Sequence, residues 1–287
     1  MKVFLASCAE LPTGDGDDDS LVAALGDLGV HASWAPWDSG ADFASADLVV
    51  LRSPWDYTER LGEFLAWCES VPGLVNTLDV VRWNTDKSYL LELAGAGVPV
   101  VPTTVLRVGD RPEWPSGAFV VKPTVGAGSR GALKVADGDH AAADAHWSSL
   151  GVPALLQPYQ STVDSQGETA VVYFGGQFSH AFTKGAMLTA DARLDPTGTF
   201  VEERLATAAP DAAQRRVAED VVDAATGLLG LRRADLLYAR VDLVAGSDGS
   251  PLLLELELAE PSLGFRQTDA AAPQRFASAV RAALSAR

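Results

Sequence analysis

The sequence predicts a mixed architecture, with a small parallel α/β unit at the N-terminus followed by α+β lobes built on antiparallel sheets. Three patterns carry that expectation. Residues 2–6 (KVFLA) and 47–51 (DLVVL) are short, β-rich apolar runs with helical periodicity from Ser20 to Leu28 between them, the grammar of a β-α-β unit. Past residue 150, strand-like segments succeed one another with one long helical stretch between Asp211 and Leu229, which favours antiparallel pairing. The length of 287 residues accommodates two or three small domains, each with a core.

Taken in order, Lys2 to Ala6 reads as a first buried strand, and Ser20 is a plausible N-cap for the helix through Leu28. Arg52-Ser-Pro-Trp-Asp-Tyr57 follows the second strand, so Arg52 and Ser53 stand at a carboxyl strand end, where open parallel sheets bind ligands. A helix from Leu61 to Glu69 and a short apolar segment at Leu74-Val75 complete the unit. Asn84 to Ser88 can start a helix through Leu93, stopped by Gly95 and Gly97, and the prolines of Val98 to Val105 enforce extended chain. Ala118 to Val121 and Ala132 to Val135 are strands flanking a glycine loop, with a helix through Trp147. Leu155 to Tyr159, Thr169 to Phe174, Phe178 to Thr183, Tyr238 to Val244 and Leu252 to Leu258 are further strands.

Composition narrows the function. With 22 basic and 38 acidic residues the net charge is −16, which opposes nucleic-acid binding, and the basic residues are scattered. The apolar runs fall short of the roughly 20 residues that span a bilayer, so no membrane partner is expected. Leu5-Ala6-Ser7-Cys8 resembles a lipoprotein cleavage site, but its charged and apolar flanks are too short for a signal peptide. The two cysteines, Cys8 and Cys68, fit a reducing cytoplasm. A homo-oligomer is compatible with all of this.

Gly126, Gly128 and Gly131 have the spacing G-x-G-x-x-G. A dinucleotide fingerprint requires a helix opening at the last glycine and an acid about 20 residues on. Here Gly131 to Val135 has strand character, Gly151 to Leu156 carries no acid, and no Gly-Lys-Ser/Thr ending marks a P-loop. A hairpin remains that can fold over phosphates with its backbone N–H groups while Lys122 approaches from the strand, although a plain mobile turn explains the glycines equally well. Asp242 on one strand, and Glu255 and Glu257 on one face of the next, are expected to converge, since strand side chains alternate. Ala239, Val241, Leu243, Leu254, Leu256 and Leu258 would pack opposite. Oxygen-only ligands suit Mg²⁺ carrying ATP phosphates, and the competing reading is an acidic sheet exterior.

In combination these segments resemble the ATP-grasp superfamily of ADP-forming ligases, the glutathione synthetase, RimK and D-alanine–D-alanine ligase type. Arg52 to Tyr57 and the segment Glu255 to Phe265 are similar to the branch that includes D-cycloserine ligase. The resemblance implies a pre-ATP-grasp domain at residues 1–82, a central lobe with a glycine-rich lid at 83–156, and a C-terminal lobe with the Mg²⁺ site at 157–287. ATP would lie between the two lobes, with Lys87 and Lys122 on its phosphates, the lid residues Gly126, Gly128, Ser129 and Gly131 above them, and Lys184 as a further phosphate contact. Gln157, Pro158 and Tyr159 would face adenine and Glu168 ribose. Relatives commonly read Glu-x-Asn where this chain has Glu255-Leu-Glu257, so the second of two Mg²⁺ ions would gain a carboxylate ligand.

The implied activity is C–N ligation through a phosphorylated intermediate on a small amino-acid-like substrate. Phosphoryl transfer asks chiefly for positioning and charge neutralisation, which lysines, an arginine and metal-held carboxylates supply. Arg240 and Lys122 are the candidate catalytic residues, Arg240 also contacting substrate; Arg52 and Ser53 would grip a carboxylate bidentately. The alternative for Arg240 is a structural salt bridge, and for Arg52 an interdomain ion pair. His180 reads as a packed strand histidine, and Trp34, Trp37, Trp55 and Trp67 as core or surface. The D-cycloserine branch implies cyclisation of O-ureido-D-serine, with activation of the ureido carbonyl and attack by the substrate's own amine. An intermolecular peptide or amide ligase, or a nucleotide-binding module without ligase chemistry, is the alternative, and a dehydrogenase the weaker one.

Overall fold

The computed structural model describes residues 1–188 and 204–287. Its first sheet contains β1 (Lys2–Ser7), β2 (His31–Pro36), β3 (Leu48–Ser53) and β4 (Leu74–Val75), ordered β2-β1-β3-β4 and parallel throughout. Helices α1 (Leu21–Asp27) and α2 (Leu61–Ser70) make two of the crossovers. β1 sends Val3 and Leu5 to one face and Phe4 and Ala6 to the other, and β3 divides Leu48 and Val50 from Val49 and Leu51 in the same way. Both faces are covered, which explains why these strands read as continuous apolar runs.

Two short helices follow, α3 (Leu78–Asn84) and α4 (Tyr89–Gly95). The helix expected to start between Asn84 and Ser88 is α4, and α3 before it is an additional helix. The Lys87 N–H donates to the Thr124 carbonyl at 2.8 Å and the Ser88 N–H to the Asp86 carboxylate at 2.9 Å, so neither bond needed to continue the helix forms there. This break sets Lys87 against the central sheet.

That sheet comprises β5 (Thr104–Leu106), β6 (Phe119–Pro123), β7 (Leu133–Val135) and β8 (Ala154–Pro158), ordered β5-β8-β6-β7 with antiparallel pairing. Helix α5 (His140–Leu150) covers its back through Ala143, packed with Phe119, Val121 and Val135. A division of lobes after residue 156 falls inside β8, whose Gln157 and Pro158 remain paired to β6.

The remaining elements are α6 (Val163–Gln166), β9 (Glu168–Phe174), β10 (Gln177–Lys184), β11 (Leu205–Ala208), α7 (Ala212–Leu229), β12 (Tyr238–Ala245), β13 (Pro251–Glu257) and α8 (Ala272–Ser285). They build an antiparallel sheet ordered β11-β10-β9-β12-β13. Gly175 and Gly176, both at positive φ (54° and 74°), make the β9–β10 turn, a conformation that favours glycine. Asp211 caps α7, accepting the Ala213 and Gln214 N–H groups at 2.8 Å. Val221, Val222 and Ala225 of α7 pack on Val241, Leu243, Leu256 and Leu258 behind β12 and β13, each buried aliphatic side chain of Val or Leu size contributing about 1.5–3 kcal/mol. Helix α8 brings Phe276 and Val280 into one cluster with Val3, Leu5, Phe174 and Phe182, so the N-terminal sheet and the C-terminal sheet share a core.

Candidate active site

Strand register assembles the polar face of the C-terminal sheet. Antiparallel pairing sets Arg240 opposite Glu257 and Asp242 opposite Glu255, while Lys184 of β10 pairs with Glu168 of β9. A register shift between Asp242 and Leu243 leaves Leu254 as the extra residue of a bulge. Leu254 therefore lines the cavity, correcting its expected place in the core behind the sheet.

A cavity of about 500 Å³ opens over this face, within the range of small-molecule sites. Lys87, Lys122, Gly126, Gly128, Ser129, Gln157, Pro158, Tyr159, Glu168, Lys184, Arg240, Glu255 and Glu257 all border it. Lys122 reaches it because β6 alternates, with Phe119 and Val121 buried on the far side. Lys87 Nζ lies 3.2 Å from Glu255 and donates to the Gly126 carbonyl, joining the glycine loop to β13. Ser129 (φ 59°) and Gly131 (φ 71°) take left-handed backbone within that loop, and Arg130 forms an ion pair with Glu59 of the N-terminal domain. Gln157 donates to Thr103 Oγ1 at 2.8 Å.

Four of the expected site residues do not border the cavity: Arg52, Ser53, Gly131 and Asp242. Arg52 is 1% exposed and its guanidinium grips Asp18 through Nε (3.1 Å) and Nη2 (3.0 Å), with Nη2 also donating to the Pro261 carbonyl at 2.9 Å. The ion pair is thus internal to the N-terminal domain, and the Pro261 bond ties that domain to the loop after β13. Ser53 Oγ is buried beside it. Gly131 packs against the Pro123 ring.

The three carboxylates come together around Arg240 but not as one metal-ligand set. Asp242, fully buried, accepts from Arg240 Nε and Nη2 at 2.9 Å each and from Lys184 Nζ at 2.6 Å, so its charge is spent within the protein. Among the described residues no three His, Cys, Asp or Glu side chains form a ready metal-ligand set. Glu255 and Glu257 do face the cavity together, which fits an ion held by two carboxylates with phosphate oxygens completing its shell, the usual manner of Mg²⁺. Burial pushes Glu257 up to about 8, aided by Glu255 and Asp242 and opposed by Arg240. Burial acts in the same sense on Glu255, but Lys87 and Lys122 hold it below the usual range. Burial pulls the Lys122 ammonium down, with Lys87 and Lys184 assisting; Lys87, despite burial, is held above its usual range by Glu255, Glu257 and Glu260. Cations and carboxylates in equal number, six of each, therefore line one cavity, suited to a polyphosphate with its metal.

The family model for the N-terminal domain of D-cycloserine synthetase DcsG matches residues 3–79. The cycloserine biosynthesis protein DcsG of Streptomyces lavendulae is 41% identical over 286 residues, covering 93% of each chain. This chain belongs to the D-cycloserine synthetase family. The crystal structure of D-cycloserine synthetase DcsG superposes with a TM-score of 0.88 at 37% identity, covering 99% of this chain and 100% of that one. The ATP-grasp ligase PsnB, solved with its minimal precursor, Mg and ADP, shares the fold at a TM-score of 0.61 and 18% identity, covering 99% of this chain and 97% of PsnB. The chain thus has the fold of the ATP-grasp ligases and belongs to a synthetase family, which favours a ligase over the nucleotide-binding module and the dehydrogenase. Among the described residues no helix is long and apolar enough to cross a membrane.

At the cavity's far end the segments Arg52 to Tyr57 and Glu255 to Phe265 were legible, but not the roles of their residues. Asp15, Trp55, Tyr57, Glu260, Ser262 and Gln267 border that end, drawn from three segments, those after β1 and β3 and, some two hundred positions later, the one after β13. Asp17 ties the first and last of these together by accepting the Phe265 and Arg266 N–H groups at 2.9 Å each. Trp55, expected in core or surface, donates its indole N–H to the Glu260 carbonyl at 3.0 Å. The acid-rich run from Asp15 to Asp19 was the available signal, although acid runs are usually solvated surface.

Proposed function

We propose that this ligase spends ATP on the carboxylate of O-ureido-D-serine and closes the ring of D-cycloserine within that one molecule. The observation that carries the reading is the meeting of Lys87, Lys122 and Arg240 with Glu255 and Glu257 in one cavity, in a chain 41% identical to a cycloserine biosynthesis protein. Activation of the ureido carbonyl, the expectation from sequence, fails on atom count. Joining the α-amine to that carbonyl closes six atoms: Cα, Cβ, oxygen, nitrogen, carbonyl carbon and amine nitrogen. Joining the carboxyl carbon to the nitrogen bonded to oxygen closes five.

The residues follow this chemistry. Lys87 and Lys122 hold the phosphates under the glycine lid, with Lys184 supporting them; Gln157, Pro158 and Tyr159 line the adenine end and Glu168 the ribose. Arg240 faces the carboxylate as it takes the γ-phosphoryl group, neutralising charge that develops in transfer. Arg52 becomes a positioning residue, since the carboxylate now belongs beside Arg240. Asp15 supplies an anionic partner for the α-ammonium, which stays out of the reaction. Glu255 and Glu257 would hold Mg²⁺, two ions in this reading, whose chemistry is to offset phosphate charge. The nitrogen displaces phosphate, one carboxylate oxygen leaves with it, and hydrolysis removes the carbamoyl group from the ring nitrogen as carbamate. An intramolecular nucleophile needs no second amine site, and its effective concentration reaches the order of 10⁵ M.

The test is ADP release with ATP and O-ureido-D-serine, and mass spectrometry of the product. A ring product from this single substrate is expected. ADP release only when a second amine is added would make the enzyme an intermolecular peptide or amide ligase.

A further inference from the structure

Ring closure requires a proton acceptor, because the attacking nitrogen carries a hydrogen that must leave as the C–N bond forms. That nitrogen lies between an oxygen and a carbonyl, so its N–H is more acidic than an ordinary amide and a carboxylate can serve. Most carboxylates around the cavity are committed. Asp242 is met by Arg240 and Lys184, Glu168 by Lys184 at 2.9 Å, Glu255 by Lys87 and Glu257 by Arg240. Asp17 is held by two backbone N–H groups, and Asp15 accepts the Asp17 N–H at 3.0 Å and the Ser262 hydroxyl.

Glu260 differs. It borders the cavity, and the side-chain donor beside its carboxylate is the Tyr57 hydroxyl, a neutral group. Tyr57 is 2% exposed, stacked on Phe64 with ring centroids 5.0 Å apart, so its hydroxyl is a fixed point. The main chain on both sides of the Glu260 side chain is pinned as well, the Ala259 carbonyl by the Tyr238 hydroxyl before it, and its own carbonyl by Trp55 and that of Pro261 by Arg52 after it. Lys87, Glu255 and Arg240 are its charged neighbours, which puts it where the far end of the cavity meets the lysine and carboxylate cluster.

We infer that Glu260 is the base that accepts the proton of the attacking nitrogen, with Tyr57 positioning its carboxylate; this rests on the ring-closing reading above. In the step, the nitrogen lone pair forms the bond to the acyl carbon, the carbon–oxygen bond to phosphate breaks with its electron pair going to phosphate, and the N–H proton moves to a Glu260 oxygen. Burial raises the Glu260 carboxyl above the usual range, against the Tyr57 hydrogen bond and the charges of Lys87 and Arg240, making it a stronger base than a solvated glutamate. Burial also keeps Tyr57 far above its ordinary value, so the phenol stays protonated and donates.

Glu260→Gln and Tyr57→Phe separate the two half-reactions. Hydroxylamine attacks an acyl phosphate without a base, so hydroxamate formation reports carboxylate activation alone. Glu260→Gln is expected to cut ring closure by about 100-fold or more while hydroxamate forms at close to the wild-type rate. Tyr57→Phe should lower kcat with little change in KM and move the acid limb of kcat to higher pH, because the hydrogen bond that favours the carboxylate is gone. Ring closure undiminished in Glu260→Gln overturns the inference, as does equal loss of both half-reactions. An acid limb unmoved in Tyr57→Phe overturns the positioning role even where the glutamine variant does not fold. A wild-type enzyme that forms neither ring nor hydroxamate removes the ring-closing reading and this inference with it.

Discussion

Replacing Arg52 by methionine removes a guanidinium that is 1% exposed and makes three hydrogen bonds, two to Asp18 and one to the Pro261 carbonyl. Loss of one partner from a buried pair leaves the other charge uncompensated, a cost of about 3–5 kcal/mol. For a slope near 3 kcal/mol per molar urea, the midpoint should fall by roughly 1–2 M. Burial already pushes Asp18 up to about 7 with Arg52 beside it, so in the variant its folded-state value lies higher still, far above the unfolded value. The variant then gains stability as pH falls through that raised value, and its deficit relative to wild type should be widest in alkaline buffer and narrow toward pH 7. Urea titrations monitored by tryptophan fluorescence across this window provide the assay, paired with substrate KM at a temperature where both proteins are folded. Unchanged stability with a large rise in KM for the amino-acid substrate would refute this reasoning and return Arg52 to the role of carboxylate ligand.

Glu255→Gln should retain the fold by circular dichroism yet lose nearly all turnover and the Mg²⁺-dependent gain in nucleotide affinity, read by calorimetry with and without the metal; wild-type metal dependence would contradict the assignment. If Gly126 to Gly131 is a lid, amide exchange across Pro123 to Ala132 should slow on adding Mg-ATP, and no change with nucleotide demonstrably bound would leave it an ordinary turn. Arg130→Ala should leave chemistry intact but speed lid exchange, since the pair with Glu59 joins the loop to the N-terminal domain.

The parts of the fold that were legible are those with strong local periodicity. β1, β3 and the strands carrying Lys122, Asp242 and Glu255 announce themselves as apolar runs or strict alternations. β2 escaped because it is an edge strand, half-buried, with Ala, Ser and Pro in place of branched residues. α8 escaped although its apolar periodicity is as clear as that of α7, and its buried face is defined by partners in two different sheets. Residue types at the lysine and glutamate end of the cavity were readable from spacing along single strands. The partners that decide what Arg52 and Glu260 do lie 34 positions away for Asp18 and beyond two hundred for Tyr57, distances at which no local pattern survives. The bulge that turns Leu254 into the cavity likewise depends on pairing, which a single strand does not encode.

The central claim is that ATP activates the substrate carboxylate, and the isotope content of the released phosphate tests it most directly. O-ureido-D-serine labelled with ¹⁸O in both carboxylate oxygens should yield inorganic phosphate carrying one ¹⁸O, with the second label retained in the ring carbonyl. Phosphate free of label from that substrate, together with labelled phosphate from substrate bearing ¹⁸O in the ureido carbonyl, would contradict it.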